Sequence, residues 1–524
     1  MNNLLARKSL KNGLRAFLCM PQYPALPIDH ALPELLAALR QGPAAVLRAP
    51  TGAGKTTRVP PAILDAGLAG TGRILVLQPR RIAARATAAR MSAERGSQLG
   101  EEFGYQTRFD SRVTQRTRVI CITEGILLRR LLSDPFLEGV SVVVFDEFHE
   151  RNLAGDLALG MVRQVQQTVR PELRIVVMSA TLDPQPIANY LGDCACIESQ
   201  GRTFPVEIKH IAELDRRRIE DSAAWGVEQL LPRTPGHLLV FLPGVREIRA
   251  TAARLAAQAS AANFTIHELY GDLPPEQQDR VLAPTTKRKV ILATNVAETS
   301  LTIEGVTGVV DTGVARILSY EEQLGLDRLQ LTPISKASAE QRAGRAGRTQ
   351  PGCCLRLWPL AAHRARGERE TPEIRRVDLS GALLQLTCWI EPDPATFPWF
   401  EQPRPVALET SLRLLHRLEA LQEGSVTPLG RCMAELPLPP RLARILLEAQ
   451  RFGYAERGAL AAALLSERDP FLRQPGTRMH RSAHHASDSD LLDRVSAIEA
   501  FESQGIAESE CRTLHRRRSL CSCE

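Results

Sequence analysis

The chain contains 524 residues, of which 44% are hydrophobic and 24% charged, and its formal net charge is +7. This length exceeds what one hydrophobic core can organise, so we expect about three or four globular domains. The positive charge permits an anionic partner, whereas an aromatic content of 5% argues against broad base-stacking platforms. The sequence has no apolar run of about 18 residues, so we expect no membrane partner.

The cysteines do not indicate a metal site, and the two chain ends do not indicate a further domain. The eleven cysteines do not follow the paired spacing of a zinc site, and we interpret them as reduced thiols of a cytoplasmic protein. Residues 1–25 are basic with one short apolar stretch, too short for a signal peptide, so we expect a disordered leader. Residues 515–524 have no domain character.

The clearest motif is residues 49–57, which read Ala-Pro-Thr-Gly-Ala-Gly-Lys-Thr-Thr. An apolar run precedes it, and a helix is predicted over 57–64 with Pro60 in its first turn. Strand, glycine-rich loop and helix in this order are typical of a phosphate-binding loop. Its first residue, Ala49, departs from the usual glycine, and a simple tight turn before a helix is the competing interpretation.

The chemistry of this loop depends on four of its residues. Gly52 and Gly54 let backbone N–H groups turn toward a phosphate at a helix N-terminus. Lys55 can reach the β- and γ-phosphates of a nucleotide, and the hydroxyl of Thr56 can hold Mg²⁺.

Five apolar stretches around the loop predict the strands of a sheet. Their unbroken Val, Ile and Leu character indicates burial on both faces, as in a parallel α/β sheet. Ligands of such sheets lie at the carboxyl ends of the strands. The predicted strands are Ala44–Leu47, Arg73–Gln78, Arg118–Ile122, Ser141–Asp146 and Arg174–Ser179.

Acidic side chains follow the fourth predicted strand, in the sequence Asp-Glu-Phe-His-Glu-Arg from 146 to 151. Asp146 at a strand end suits a second Mg²⁺ contact, and Glu147 beside it can position or deprotonate water. The competing interpretation is an acidic cluster at a helix N-terminus.

Two further strand ends carry groups that can hold a nucleic-acid backbone. Arg80 and Arg81 follow the second strand and can contact phosphates, although a solvated basic helix start explains them equally well. Thr123 follows the third strand, and its hydroxyl offers a weaker signal of the same kind.

A second α/β domain is predicted beyond a turn-rich join near residues 200–205. It lacks a phosphate loop of its own, so it is not a second independent nucleotide site. Residues 341–348 read Gln-Arg-Ala-Gly-Arg-Ala-Gly-Arg, and arginines brought from a second domain can supply charge to a γ-phosphate. Residues 314–332 can form a hairpin. The predicted strands are His237–Leu242, Thr265–Tyr270, Lys289–Ala293 and Gly308–Asp311.

The segments 49–56, 146–149 and 179–181 resemble motifs I, II and III of superfamily 2 helicases of the DEAH-box group. Residues 294–303 and 341–348 resemble motifs V and VI. Phe148 stands where the DEAH-box group has alanine. The Asp-Glu-Phe-His-Glu-Arg string, with the Leu-Pro-Ile start at 26–28, resembles the bacterial HrpB-type branch.

This resemblance implies an ATP-dependent RNA helicase with two tandem RecA-like P-loop NTPase domains, followed by a helical and winged-helix-like region. It implies ATP and Mg²⁺ as cofactors and RNA as the partner, with other nucleoside triphosphates and DNA left open. It assigns catalysis to Lys55, Glu147, His149, Gln341, Arg345 and Arg348; nucleotide binding to Gly52, Ala53, Gly54, Lys55, Thr56, Thr57, Arg90, Leu282 and Glu304; metal binding to Thr56, Asp146 and Glu147; and RNA contacts to Arg80, Arg81, Thr123, Thr299 and Thr302.

The resemblance also predicts the order of the domains. After the leader, RecA-like domains are expected at 26–202 and 203–368, a winged-helix-like part at 369–433, and a partial ratchet-like region with an atypical tail at 434–524. Helices are expected at Ser380–Trp389 and Leu412–Leu421. Because HrpB-type relatives continue further, we expect the accessory region to be incomplete.

Two other functions compete with a helicase. An ATP-switched clamp that binds RNA or a ribonucleoprotein without unwinding it would use the same motifs. A P-loop kinase or transferase of a small molecule would share the phosphate loop, but the second domain and residues 341–348 argue against it.

Overall fold

The computed structural model describes residues 25–504, except 109, 202–203, 214, 299–302, 322–325, 390–392 and 467–488. An eight-stranded sheet forms the centre of the first domain, with the strand order β4-β3-β5-β2-β6-β7-β1-β8. All neighbouring strands are parallel except the β3–β4 pair. The strands are β1 Ala44–Arg48, β2 Arg73–Gln78, β3 Phe103–Gln106, β4 Ser111–Arg112, β5 Val119–Thr123, β6 Val140–Phe145, β7 Arg174–Ser179 and β8 Ala195–Glu198.

The central strands of this sheet are buried because helices cover them. The apolar residues of β1, β2, β6 and β7 are almost completely inaccessible to solvent, as continuous Val, Ile and Leu runs predict for a parallel sheet. The helices are α1 Leu32–Gln41, α2 Lys55–Asp65, α3 Arg81–Arg95, α4 Glu124–Ser133, α5 Leu153–Thr168 and α6 Pro184–Tyr190.

The second domain has a six-stranded, fully parallel sheet with the order β11-β12-β10-β13-β16-β9. Strands β14 and β15 form a separate antiparallel hairpin, as predicted for 314–332. The strands are β9 Val206–His210, β10 His237–Phe241, β11 Phe264–Leu269, β12 Arg288–Ala293, β13 Val306–Asp311, β14 Val314–Glu321, β15 Leu326–Pro333 and β16 Gly352–Arg356; the helices are α7 Ile219–Leu230, α8 Val245–Ala261, α9 Pro275–Leu282, α10 Lys336–Ala343 and α11 Leu360–Arg364.

Both sheets belong to one compact unit, which comprises residues up to 377 together with 398–403. A second unit comprises 378–397 and the residues from 404 onward. It is helical, with one two-stranded hairpin formed by Leu421–Gln422 and Ser425–Val426. Its helices are α12 Ser380–Trp389, α13 Pro405–Arg417, α14 Pro428–Glu435, α15 Pro440–Arg451, α16 Ala455–Ser466 and α17 Asp490–Gln504.

Two predicted helices have other bounds in the structure. Helix α2 begins at Lys55 rather than Thr57, so Pro60 lies in its second turn and not in its first. The helix predicted at Leu412–Leu421 begins at Pro405 and ends at Arg417. It stops there because Glu419 adopts a left-handed conformation with φ of 58°, which an α-helix does not tolerate. Within the described residues, no helix is long and apolar enough to cross a membrane.

Candidate active site

The phosphate-binding loop connects β1 to α2, as the sequence predicts. Gly52 and Gly54 have φ angles of 88° and 92°, which a residue with a Cβ rarely adopts. A Cβ on Gly54 would also lie 2.5 Å from the side chain of Leu26, so glycine is required there. Ala53 is buried, and its carbonyl accepts a hydrogen bond of 3.1 Å from the N–H of Ile28. The segment before α1 therefore packs directly against the loop.

Alanine at the first position of the loop fits without strain. Ala49 is fully buried, its N–H donates to the carbonyl of Ser179 at 3.0 Å, and its φ is not positive. This backbone conformation does not need glycine.

Lys55 forms a buried ion pair with Glu147. Its Nζ lies 3.0 Å from Oε2 of Glu147, and the two side chains are 4% and 3% exposed. Burial alone raises the pKa of Glu147, but the charge of Lys55 and its hydrogen bond to this carboxylate hold the pKa below its ordinary value. Glu147 is therefore ionised at neutral pH, beside the lysine that is expected to meet a phosphate.

The predicted metal ligands also lie together. The hydroxyl of Thr56 donates to Oδ2 of Asp146 at 2.6 Å, and the side-chain amide of Gln78 donates to the same oxygen at 2.8 Å. Burial, and then the charge of Glu147, raise the pKa of Asp146. A hydroxyl and a carboxylate at this distance fit Mg²⁺, which takes few protein ligands and completes its shell with water and phosphate oxygens. No cluster of three or more His, Cys, Asp or Glu able to hold a metal occurs in the described part of the chain.

His149 connects the first domain to the second. Its Nε2 lies 2.7 Å from the side-chain amide of Gln341, and its Nδ1 lies 3.4 Å from the N–H of Ala180 at the end of β7. Burial lowers the pKa of His149, so the imidazole is neutral at pH 7. It therefore acts here as a hydrogen-bonding link between motifs.

Arg345 and Arg348 reach the same region from the second domain. A Cβ on Gly52 would lie 3.7 Å from the side chain of Arg348, which places this arginine against the phosphate loop. Arg345 donates from Nε to the carbonyl of Glu298 at 2.9 Å. Burial lowers the pKa of both arginines, and each interacts electrostatically with Glu147. The pKa of Arg348 falls only to about 10, so it remains a cation at pH 7.

Arg342 of the same motif has a different environment. It pairs with Glu298 and Asp311 at 2.9 Å each and lies 4.8 Å from the ring centre of Phe241. All these partners belong to the second domain. Arg342 therefore stabilises that domain from within.

The side chains assigned to RNA lie at the edges of the site. Arg80 pairs with Glu150 at 3.2 Å and also donates to the carbonyl of Asn295 in the second domain. Arg81 is exposed, 3.9 Å from Asp272. Thr123 is half-buried at the N-terminus of α4. Thr299 and Thr302 lie outside the described residues.

Arg90 and Leu282, assigned to the nucleotide base, and Glu304, assigned to nucleotide binding, lie where α3 meets the second domain. Arg90 bonds to Glu94 at 2.7 Å and lies 3.8 Å from Glu304. Leu282, at the end of α9, is half-buried against a cluster that includes Ile82 of α3.

Sequence reasoning missed two residues that organise the site. Gln78 holds Asp146, and Glu298 contacts both Arg342 and Arg345. The signal for Gln78 was its place at the last position of a buried strand. Glu298 lies within residues 294–303, which resemble motif V, but the resemblance assigns contacts only to the neighbouring hydroxyls of Thr299 and Thr302.

Two parallel-sheet domains, with a phosphate-binding loop in one and two arginines of the other beside it, have the architecture of a two-domain P-loop NTPase of the helicase class. The chain belongs to the DEAD/DEAH box helicases: it matches this family over residues 29–189, the helicase conserved C-terminal domain over 225–350, and the winged-helix helicase associated domain (HA2) over 411–438.

Named relatives and solved structures agree with this membership. The chain is 42% identical over 447 residues to the ATP-dependent RNA helicase HrpB of Escherichia coli, covering 84% of this chain and 55% of the relative. It is 37% identical over 487 residues to the ATP-dependent RNA helicase HrpA of the same organism, covering 90% of this chain and 37% of the relative. A crystal structure of the E. coli DEAH/RHA helicase HrpB matches with a TM-score of 0.79 and 39% identity over 92% of this chain and 61% of that structure. The chain thus spans about half the length, or less, of these curated relatives.

Proposed function

We propose that this protein hydrolyses ATP in the cleft between its two domains and uses hydrolysis to move along RNA or to unwind it. The observation that carries the proposal is that the second domain contacts two motifs of the first: Arg348 packs against Gly52 of the phosphate-binding loop, and Gln341 contacts His149 of motif II. The relatives that are named ATP-dependent RNA helicases support the same reaction and the same partner.

The phosphate loop binds the nucleotide in this proposal. Lys55 transfers from Glu147 to the β- and γ-phosphates, because a polyanion competes with one carboxylate for the ammonium group. Thr56 and Asp146 hold Mg²⁺, which neutralises phosphate charge when it is bound.

Released from Lys55, the carboxylate of Glu147 is available to orient the attacking water or to accept its proton. Its pKa lies below the ordinary value, so it is in the basic form at neutral pH. Arg345 and Arg348 supply positive charge to the transferring phosphoryl group, as arginine fingers do.

Movement of the two domains follows from the same contacts. His149 and Gln341 belong to different domains, so a change at the γ-phosphate that displaces Glu147 is passed to the second domain through His149. Arg80, Arg81, Thr123, Thr299 and Thr302 are proposed as RNA contacts. Arg80 suits such a role because it already contacts both domains.

Steady-state hydrolysis of Mg·ATP, with and without single-stranded RNA or DNA, tests the proposal. We expect turnover that requires Mg²⁺ and rises with RNA. Glu147→Gln, which keeps the size of the side chain, should lower kcat by roughly 10² or more, the order of an acid–base contribution. Absence of hydrolysis, or hydrolysis that Glu147→Gln leaves unchanged, would refute it.

A further inference from the structure

The segment from Pro398 to Pro403 (the 398–403 segment) has an unusual place in the chain. It belongs to the compact unit that holds the ATP site, although the residues before it, 378–397, and those after it, from 404 onward, belong to the second unit. The 398–403 segment is therefore the one part of the chain after residue 377 that belongs to the unit with the ATP site.

The 398–403 segment contacts the first domain at motif II. The hydroxyl of Tyr190 donates to the carbonyl of Pro398 at 2.5 Å. The ring of Phe400 lies 5.3 Å from the ring of Tyr190 and 5.7 Å from the ring of Phe148, both in edge-to-face geometry. This geometry is favourable for aromatic pairs beyond the apolar area that they bury.

A charged contact accompanies the aromatic one. The guanidinium of Arg151 lies 4.6 Å from the ring centre of Phe400 and 2.9 Å from Oε2 of Glu401. Arg151 is itself fixed by two hydrogen bonds to the buried carboxylate of Asp156, at 3.0 and 2.8 Å. Arg375 also pairs with Glu401. Because Asp156 holds the planar guanidinium of Arg151 in one orientation, the ion pair with Glu401 fixes the position of Glu401 relative to this turn more firmly than a flexible surface pair would.

The turn that receives these contacts has a conformation that needs support. Glu147 and Arg151 have φ angles of 51° and 48°, on either side of a short 3₁₀ turn at Phe148–Glu150. Residues with a Cβ persist in this region only where the surroundings hold them. Support comes in part from the N–H of Glu373, which donates to the carbonyl of Arg151 at 3.0 Å.

The two faces of this turn make different contacts. Glu147 and His149 point to Lys55 and Gln341, in the ATP site. Phe148 and Arg151 point to the 398–403 segment. One five-residue turn thus includes the carboxylate that is proposed to orient water and the two side chains that contact the 398–403 segment.

We propose that Phe148 and Arg151 are positioning residues for ATP hydrolysis, and that the 398–403 segment, through Phe400 and Glu401, sets the geometry of Glu147 and His149. This inference rests on the proposed function. It also explains what the ring of Phe148 does, because the alanine of the DEAH-box group has no ring to meet Phe400.

The test compares Phe400→Ala, Phe148→Ala and the double variant in Mg·ATP hydrolysis. Phe148→Ala introduces the residue that the DEAH-box group carries, so it should fold. Each single variant should lower kcat by roughly threefold to tenfold, the effect of losing one aromatic pair, and change KM for ATP less than about twofold. Because the two changes share the Phe148–Phe400 contact, the fold-loss of the double variant should be smaller than the product of the two single losses.

Two further variants serve as controls. Phe136→Ala removes the same kind of side chain from an exposed position of the first domain, 47% exposed, and should leave kcat unchanged. Phe400→Leu should restore part of the lost kcat, because leucine fills much of the same space. If kcat of Phe400→Ala stays at the wild-type value, or if the two single losses multiply in the double variant, the proposal is overturned.

A binding measurement separates this proposal from the proposed function. Trp399 is buried within the segment, 5% exposed, and its fluorescence reports on the segment without hydrolysis. The part of the tryptophan emission that comes from Trp399 is identified as the part that Trp399→Phe removes. Binding of a non-hydrolysable ATP analogue with Mg²⁺ should change this emission in the wild type. In Phe148→Ala the change should be absent, although a fluorescent nucleotide still binds. Persistence of the change in Phe148→Ala overturns the coupling alone. A wild-type chain that binds no nucleotide refutes the proposed function and, with it, this proposal.

Discussion

Replacement of Lys55 by alanine should destabilise the protein as well as inactivate it. Lys55 and Glu147 lie 3.0 Å apart and are almost completely buried. At an effective dielectric constant of about 20, their attraction is roughly 5 kcal/mol. Removal of one partner from a buried pair leaves an uncompensated charge and costs about 3–5 kcal/mol. We therefore expect Lys55→Ala to lower the free energy of unfolding by about 3 kcal/mol or more.

Urea unfolding followed by circular dichroism at pH 7.5 without nucleotide measures this effect. The matched control is the double variant Lys55→Ala/Glu147→Gln, which removes the orphaned charge and should recover most of the stability while remaining inactive. A Lys55→Ala variant within about 1 kcal/mol of the wild type, or a double variant no more stable than Lys55→Ala, would refute the reasoning.

Three further predictions concern the two arginines of motif VI, the contacts to the nucleotide base, and the buried carboxyl of Glu124. Arg345→Ala and Arg348→Ala should each lower kcat by roughly 10³-fold while KM for ATP changes little, because fingers act on transition-state charge; a rise in KM at constant kcat would exclude that role. GTP should replace ATP with less than roughly a 100-fold loss in kcat/KM, since Leu282 offers no π-face to pair with Arg90 around a base; a stronger preference for ATP in competition assays would contradict this. Burial raises the pKa of Glu124 to about 7, so the stability that its protonated form contributes is present at low pH and lost as pH rises through 7. The free energy of unfolding of Glu124→Gln should therefore rise relative to that of the wild type between about pH 5 and 8, by at most about 3 kcal/mol. A difference in urea unfolding that does not depend on pH would count against this.

Much of the fold could be predicted because the parallel strands are continuous apolar runs. The strands Arg73–Gln78 and Arg174–Ser179 and the helix Ser380–Trp389 have the predicted bounds. The helix predicted at Leu412–Leu421 was misplaced because its leucine periodicity continues through Glu419, where the backbone reverses. Nothing in the side-chain pattern marks that left-handed residue, since glutamate is a good helix former.

The candidate site could be predicted where its residues form one continuous motif. The loop at 49–57, the pair Asp146–Glu147 and the string 341–348 were found in this way. The contacts that connect distant segments could not, since Phe400 meets Phe148 and Arg80 meets Asn295 only after folding. A single sequence contains no signal for such pairings, because neither periodicity nor spacing extends across hundreds of residues.

Strand displacement tests the central claim most directly. The substrate is an RNA duplex with a single-stranded tail, incubated with the protein and Mg²⁺ together with either ATP or a non-hydrolysable analogue. The account predicts that strands separate with ATP, and that neither the analogue with the wild-type chain nor ATP with Glu147→Gln supports separation. RNA binding and ATP hydrolysis without strand separation, or equal separation with the analogue, would contradict it and favour an ATP-switched clamp.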